Sequence, residues 1–137
     1  MRHGNLFVIS GPSGAGKGTL VARLLREIPD AWVSMSVTTR KPREGEVDGV
    51  HYRFASPEEF QELVDEDGLL EWATYGGNCY GTPRATVEEH IACGDQVILE
   101  IDVQGGFQVR DKFPSAHLVF ILSLIHISEP TRPRLIS

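Results

Sequence analysis

Gly11-Pro12-Ser13-Gly14-Ala15-Gly16-Lys17-Gly18-Thr19 decides the reading of this chain. It follows the apolar run Leu6-Phe7-Val8-Ile9 and leads into Leu20-Val21-Ala22-Arg23-Leu24-Leu25, where apolar positions recur at helical spacing. A strand, a glycine-rich turn and a helix are expected in succession. The glycines at 11, 14, 16 and 18 let backbone N–H groups turn inward around a phosphate chain, and the helix N-terminus adds the positive end of its dipole. Lys17 supplies a full positive charge that reaches the β- and γ-phosphates of a nucleoside triphosphate. The pattern G-x-x-x-x-G-K is met at Gly11, Gly16 and Lys17, but Gly18 replaces the hydroxyl residue that ordinarily follows, with Thr19 one place later. Magnesium is then held mostly by water and phosphate oxygens, a coordination it tolerates well, and no protein metal site is expected.

Working outward, 137 residues make one domain with a small insertion and are too few for two independent cores. The formal charge of −6 argues against a general nucleic-acid or membrane-surface role, so any anion site has to be a local cluster of basic residues. Cys79 and Cys93, with no signal peptide and no long apolar segment, point to a reducing cytoplasm and free thiols. Neither has a His or a second Cys at metal-ligand spacing.

The first helix is expected over residues 16–27, stopped at Pro29, and a short strand over 31–35. The run from Ser36 to Glu46 is polar, basic and turn-rich and reads as non-core. Arg40, Lys41 and Arg43 lie in it, and Arg53 joins them if the next strand folds back. It leaves the carboxyl end of a core strand, where α/β sheets place ligands, and Ser36, Thr38 and Thr39 add hydroxyls suited to phosphate oxygens. Arginine forks hold a phosphate dianion bidentately. Residues 51–54 read as a strand. Ser56-Pro57-Glu58-Glu59 is a capping box opening a helix over 57–66, with Phe60, Leu63 and Val64 on one face. Residues 69–75 form a strand, and Gly76-Gly77-Asn78 a hairpin turn into Cys79-Tyr80. Thr82 is expected to cap a helix with Pro83 at its start and Gly94 at its end. Residues 36–90 thus form a small, largely antiparallel α+β insertion. The main sheet resumes over 95–102, where Glu100 and Asp102, two apart on a strand, share a face. A helix over 104–112 and a strand over 117–122 follow. Phe60 and Trp72 are assigned to the core.

In this order the chain resembles the guanylate kinases. The matching strings are GPSGAGKGT; Ser36-Val37-Thr38-Thr39-Arg40 with Pro42-Arg43 and Gly45-Glu46; Asp48-Gly49 and Tyr52; Leu70-Glu71-Trp72-Ala73; Asn78-Cys79-Tyr80-Gly81-Thr82; and Leu99-Glu100-Ile101-Asp102-Val103-Gln104-Gly105. The resemblance implies an α/β fold: a P-loop nucleoside-monophosphate-kinase core, with a parallel sheet flanked by helices, over residues 1–35 and 91–122. A GMP-binding insertion would occupy 36–90. It implies transfer of a phosphoryl group from ATP, as Mg-ATP, to GMP (dGMP being possible), with Gly11, Pro12, Ser13, Gly14, Ala15, Gly16, Lys17, Gly18 and Thr19 on ATP. Arg40, Arg43, Tyr52 and Tyr80 would hold the GMP phosphate, with Glu46 organising the arginines; Ser36, Glu71, Thr82 and Asp102 would face the guanine. Lys17 and Arg40 are the catalytic expectations. Partners are then small molecules only, with no nucleic acid and no membrane.

After Leu122 the family would continue with a lid carrying arginines, a further strand and closing helices. From Leu122 this chain instead reads LSLIHISEPTR and on to Ser137, a stretch resembling the translation of a DNA-library adaptor, so residues 123–137 are expected to be non-native. Lid and C-terminal elements would be missing, part of the sheet uncovered, and turnover poor, because an arginine finger is worth roughly 10³ to 10⁵ in kcat. A guanylate-kinase-like module that grips a phosphopeptide without catalysis is the alternative, disfavoured by the intact loop and Lys17. Another P-loop kinase acting on a different small phosphate is disfavoured by Glu71 and Asp102.

Overall fold

The computed structural model describes residues 3–11, 16–50 and 52–121. The expectations on Pro12, Ser13, Gly14, Ala15, His51 and the tail from Leu122 fall outside them. The chain divides into two compact units, one comprising Met1–Val33 with His90–Ser137 and the other Ser34–Glu89.

The first unit holds β1 (Asn5–Ser10), α1 (Lys17–Glu27) and β2 (Ala31–Val33). Past the second unit, the chain adds β7 (Gln96–Glu100), α4 (Val103–Lys112) and β8 (His117–Phe120) to it. The strands form one parallel sheet in the order β2-β7-β1-β8. Such a sheet is covered on both faces, which is why its strands are unbroken apolar runs. Leu6, Val8, Ile9, Val97, Ile98 and Leu99 are buried. Val21 of α1 packs on Ile9 and Ile98, with Leu20, Leu24, Val33 and Val119 around them. On α4, Gly106 comes so close to β1 that an added Cβ would stand 3.3 Å from Val8 Cγ1. The strand order reverses at β1, so the phosphate loop leaves the sheet where open α/β folds bind ligands.

The second unit holds β3 (Val37–Thr38), β4 (Arg53–Phe54), α2 (Pro57–Asp65), β5 (Leu69–Tyr75) and β6 (Asn78–Pro83). Helix α3 (Arg84–Ala92) follows β6. The sheet order is β4-β3-β6-β5, with β3 antiparallel to β6 and parallel to β4. The expected fold-back of Arg53 is therefore real: its N–H donates to Ser36 O at 2.9 Å. The capping box is formed, Ser56 Oγ accepting from Glu59 N at 3.0 Å and Glu59 Oε1 from Ser56 N at 2.9 Å.

Successive strand residues point to opposite faces, and paired residues share a face. Val37, Gly81 and Trp72 lie on one side, where Val37 and Leu69 pack on Phe60 of α2. Burying each of these large side chains is worth about 1.5–3 kcal/mol. Thr38, Tyr80, Ala73, Thr82 and Glu71 lie on the other side. That face carries the candidate site.

Four sequence expectations are corrected. The polar run after Ser36 does contain a core element, because Val37 and Thr38 are fully buried in the sheet despite their hydrophilic neighbours. Thr82 and Pro83 belong to β6 and do not begin a helix; the pairing of Thr82 with Glu71 extends the strand to Pro83 before α3 starts at Arg84. Trp72 is 39 % exposed and meets Phe60 only edge-on. The register slips between Leu69 and Glu71, and Leu69, Leu70 and Glu71 are all buried, whereas Trp72 lies on the α2 side with Gly81 but at the open margin of that core. Strand β7 ends at Glu100, and Asp102 is the N-cap of α4, its Oδ1 accepting from Gly105 N at 2.7 Å; the two acids do not share a strand face.

Candidate functional site

Each unit contributes a cluster. In the first, β1 ends at Ser10, whose buried hydroxyl donates to Ile101 O at 2.8 Å and ties the end of β1 to the segment after β7. Ile121 N donates to Ser10 O from the β8 side. Gly11 follows, wedged so that a Cβ there would sit 2.7 Å from Ile121 O. Gly16 caps α1 with φ +93°, a left-handed conformation that favours glycine and turns the chain from loop into helix. Lys17, the first residue of α1, folds back so that Nζ donates to Gly11 O at 3.1 Å. That ammonium therefore returns to Gly11, just past the end of β1. Gly18 and Thr19 are exposed on the first turn of α1. Among the described residues, no group of three or more His, Cys, Asp or Glu side chains is placed to hold a metal ion.

In the second unit, Arg40 is the centre of the cluster. Its Nη1 and Nη2 donate to Glu46 Oε1 and Oε2, both at 3.1 Å, with side chains only 11 % and 19 % exposed. Glu46 Oε1 also accepts from Arg43 N at 2.8 Å, so one carboxylate holds the Arg40 guanidinium and folds the loop bearing Arg43. The Arg40 guanidinium lies 5.2 Å from the centre of the Tyr52 ring, a cation–π contact. Its pKa is raised above the ordinary arginine value, chiefly by the hydrogen bond to Glu46 and in lesser degree by Tyr80 and Tyr52. The Glu46 carboxyl is lowered to about 2, chiefly by the Arg40 hydrogen bond and then by the Arg43 N–H. Both groups stay charged across the physiological range. Arg43 itself is exposed.

Tyr52 meets Tyr80 edge-on at 6.3 Å, and Tyr80 meets Tyr75 at 5.9 Å, so three phenol rings run side by side. Tyr75 was not singled out in the sequence, although its place two residues beyond Ala73 on β5 puts it on the face of Glu71. Two residues along β6 from Tyr80, Thr82 Oγ1 donates to Glu71 Oε2 at 2.8 Å, and Glu71 is only 8 % exposed. A buried carboxylate with a hydroxyl donor on one side is a strong acceptor for further N–H groups. Ser36 is half-buried at the start of this sheet, its carbonyl engaged by Arg53 N. Thr38 was expected to offer its hydroxyl to phosphate; it instead donates to Cys79 O at 2.9 Å, and its proton is spent. Asp102 lies in the first unit, so the second unit brings together Ser36, Arg40, Arg43, Glu46, Tyr52, Glu71, Tyr80 and Thr82 without it.

The guanylate kinase family model matches residues 3–134. The chain belongs to the guanylate kinase family. It is 55 % identical over 120 residues to guanylate kinase of Desulfitobacterium hafniense (strain Y51), covering 88 % of this chain and 60 % of that protein. It is 58 % identical over 118 residues to guanylate kinase of Parasynechococcus marenigrum (strain WH8102), covering 86 % and 65 %. Among solved structures, guanylate kinase from Anaplasma phagocytophilum matches with a TM-score of 0.70 and 35 % identity, over 89 % of this chain and 61 % of that one. This family member thus spans about three fifths of the length of the curated relatives it matches. The family's P-loop nucleoside-monophosphate-kinase core is the parallel sheet with its flanking helices.

Proposed function

We propose that this chain carries the nucleotide-binding part of a guanylate kinase, which moves the γ-phosphoryl group of ATP to an oxygen of the GMP phosphate and yields ADP and GDP. One observation carries the reading. A guanidinium–phenol cluster suited to a phosphate and a buried carboxylate–hydroxyl pair suited to a guanine edge lie on one face of one sheet, two residues apart along β6.

Guanine offers donors at N1 and the exocyclic N2, where adenine has an acceptor at N1 and no group at C2. Glu71, pre-oriented by Thr82, accepts from those donors, and Ser36 and Asp102 are assigned to the same base. Arg40, Arg43, Tyr52 and Tyr80 take the GMP phosphate, and Glu46 orders the arginines. Residues 11–19 hold ATP, with Lys17 as the charge on the transferred group. Arg40, on the acceptor phosphate, is the second residue assigned to the chemistry. Magnesium would arrive with ATP, held mostly by water and phosphate oxygens. For this chain the proposal is binding of both nucleotides, in a cytoplasm that supplies them.

Calorimetric titration with GMP, dGMP, AMP and UMP, alongside a coupled assay of ADP release, tests this. GMP and dGMP are expected to bind, and AMP at least about 100-fold more weakly, because a buried carboxylate facing adenine N1 loses its donor. AMP binding as tightly as GMP overturns the assignment.

A further inference from the structure

The acceptor site contains a threonine that the proposed roles leave unused. Thr38 is fully buried, and valine, of nearly the same shape and with as strong a strand preference, would fill its place without a hydroxyl. The hydroxyl is nonetheless fully engaged. Thr38 Oγ1 donates to Cys79 O at 2.9 Å and accepts from Arg40 N at 3.1 Å. The neighbouring Thr39 closes the same link from the other side: its Oγ1 accepts from Cys79 N at 2.9 Å, and its own N–H donates to Cys79 O at 3.0 Å. Cys79 directly precedes Tyr80, and Thr38 is paired with Tyr80 in the sheet.

We infer that Thr38, with Thr39, is a positioning brace that locks the backbone of Arg40 to that of Tyr80. Arg40 and Tyr80, two of the four groups assigned to the GMP phosphate, come from separate stretches of chain, a loop and a strand, so a cross-link between them is what fixes their spacing. Glu46 orients the end of the Arg40 side chain, whereas Thr38 fixes where that side chain starts. The Thr38 hydroxyl has spent its proton on Cys79 and so acts through these residues. The inference rests on the proposed phosphate role of Arg40 and Tyr80.

A displaced phosphate grip weakens a ligand that has a phosphate and leaves one without it alone. The test is therefore the affinity of the full chain for GMP and for guanosine, by calorimetry and competition, in wild type, T38V, T38S and T39V. T38V is expected to weaken GMP roughly tenfold, the worth of one well-placed hydrogen bond, with guanosine changed by less than about twofold. T38S, which keeps the hydroxyl, should restore GMP affinity to within about threefold of wild type. Should T38V melt too low to titrate, T39V at the half-buried neighbour reads the same brace, with GMP weakened about threefold and guanosine unchanged. Equal losses for GMP and guanosine, or no loss for either, overturn the brace. Equal affinity of the wild-type chain for GMP and guanosine refutes the phosphate role of Arg40 itself, and with it the reading beneath the proposal.

Discussion

Replacing Glu71 by glutamine tests its proposed contact with guanine apart from everything else. The substitution keeps shape and volume, and the new amide oxygen can still accept from Thr82 Oγ1, now 2.8 Å from Glu71 Oε2, so the hairpin of β5 and β6 should persist. The negative charge is lost, and an N–H₂ donor is brought against guanine donors. A hydrogen bond to a charged group is worth about 1.5–3 kcal/mol. At about 1.4 kcal/mol per decade, the GMP dissociation constant should rise about 10- to 150-fold. On the proposed reading ATP is held by residues 11–19, in the other unit, so its dissociation constant should stay within about twofold. Calorimetry of each nucleotide separately, with thermal melting as the control for folding, gives the readout. A GMP constant that moves less than about threefold, or GMP and ATP constants that rise together, would remove Glu71 from the base.

Three further outcomes follow from the geometry. Lys17→Ala removes the ammonium that now donates to Gly11 O, and ATP affinity should fall at least about tenfold with GMP affinity unchanged, read by the same titrations. Glu46→Gln should flatten an acid limb of stability. The Glu46 carboxyl is lowered from 4.5 to about 2 in the fold, so between those values the unfolded chain binds more protons and stability rises with pH. Wild type should lose its advantage over the variant as pH falls through that window, and urea melts at pH 2.5, 4 and 6 would show the difference shrinking only at the acid end. Gly81→Ala places a Cβ 3.0 Å from Leu69 Cδ1, 3.1 Å from Glu71 O and 3.1 Å from Trp72 Cβ, and should destabilise the fold by about 1–3 kcal/mol in denaturant melts.

The features legible in the sequence are those set by neighbours along the chain. The phosphate loop shows because a strand, glycines and a helix must follow one another at fixed spacing, and the capping box shows because Ser56 and Glu59 satisfy each other's backbone across three residues. Arg40, Arg43 and Glu46 are likewise within one turn-rich run. The misreadings arise where distant pairing decides. Val37 and Thr38 sit among polar residues, and only their pairing with β6 makes them core. Thr82 looks like a helix cap beside Pro83 until Glu71, eleven positions earlier, claims its hydroxyl. Trp72 lies on the α2 side of the sheet, yet it meets Phe60 edge-on at the margin of that core and stays 39 % exposed, which no local pattern announces. Asp102 reads as the end of a strand, yet the free N–H groups of α4 draw its carboxylate into a cap.

On the proposed reading, acceptor choice follows from strand geometry as much as from functional groups. Tyr80 and Thr82 lie two residues apart on the same face of β6, a separation of about 6.7 Å that an extended backbone fixes and a loop would not. A nucleotide whose phosphate is seated at Arg40 and Tyr80 must then extend a purine-sized body along the strand before its edge meets Thr82 and Glu71. A pyrimidine held by the same phosphate stops short, leaving the carboxylate without its donors, while adenine arrives with an acceptor opposite it. Glu71 stands opposite Thr82 in the same register that pairs Trp72 through Tyr75 with β6, and the slip at Leu70 turns Leu69 to the α2 side, where it packs on Phe60. One regular register therefore carries Glu71, Ala73 and Tyr75 to the ligand face together, and the slip before it returns the first residue of β5 to the core.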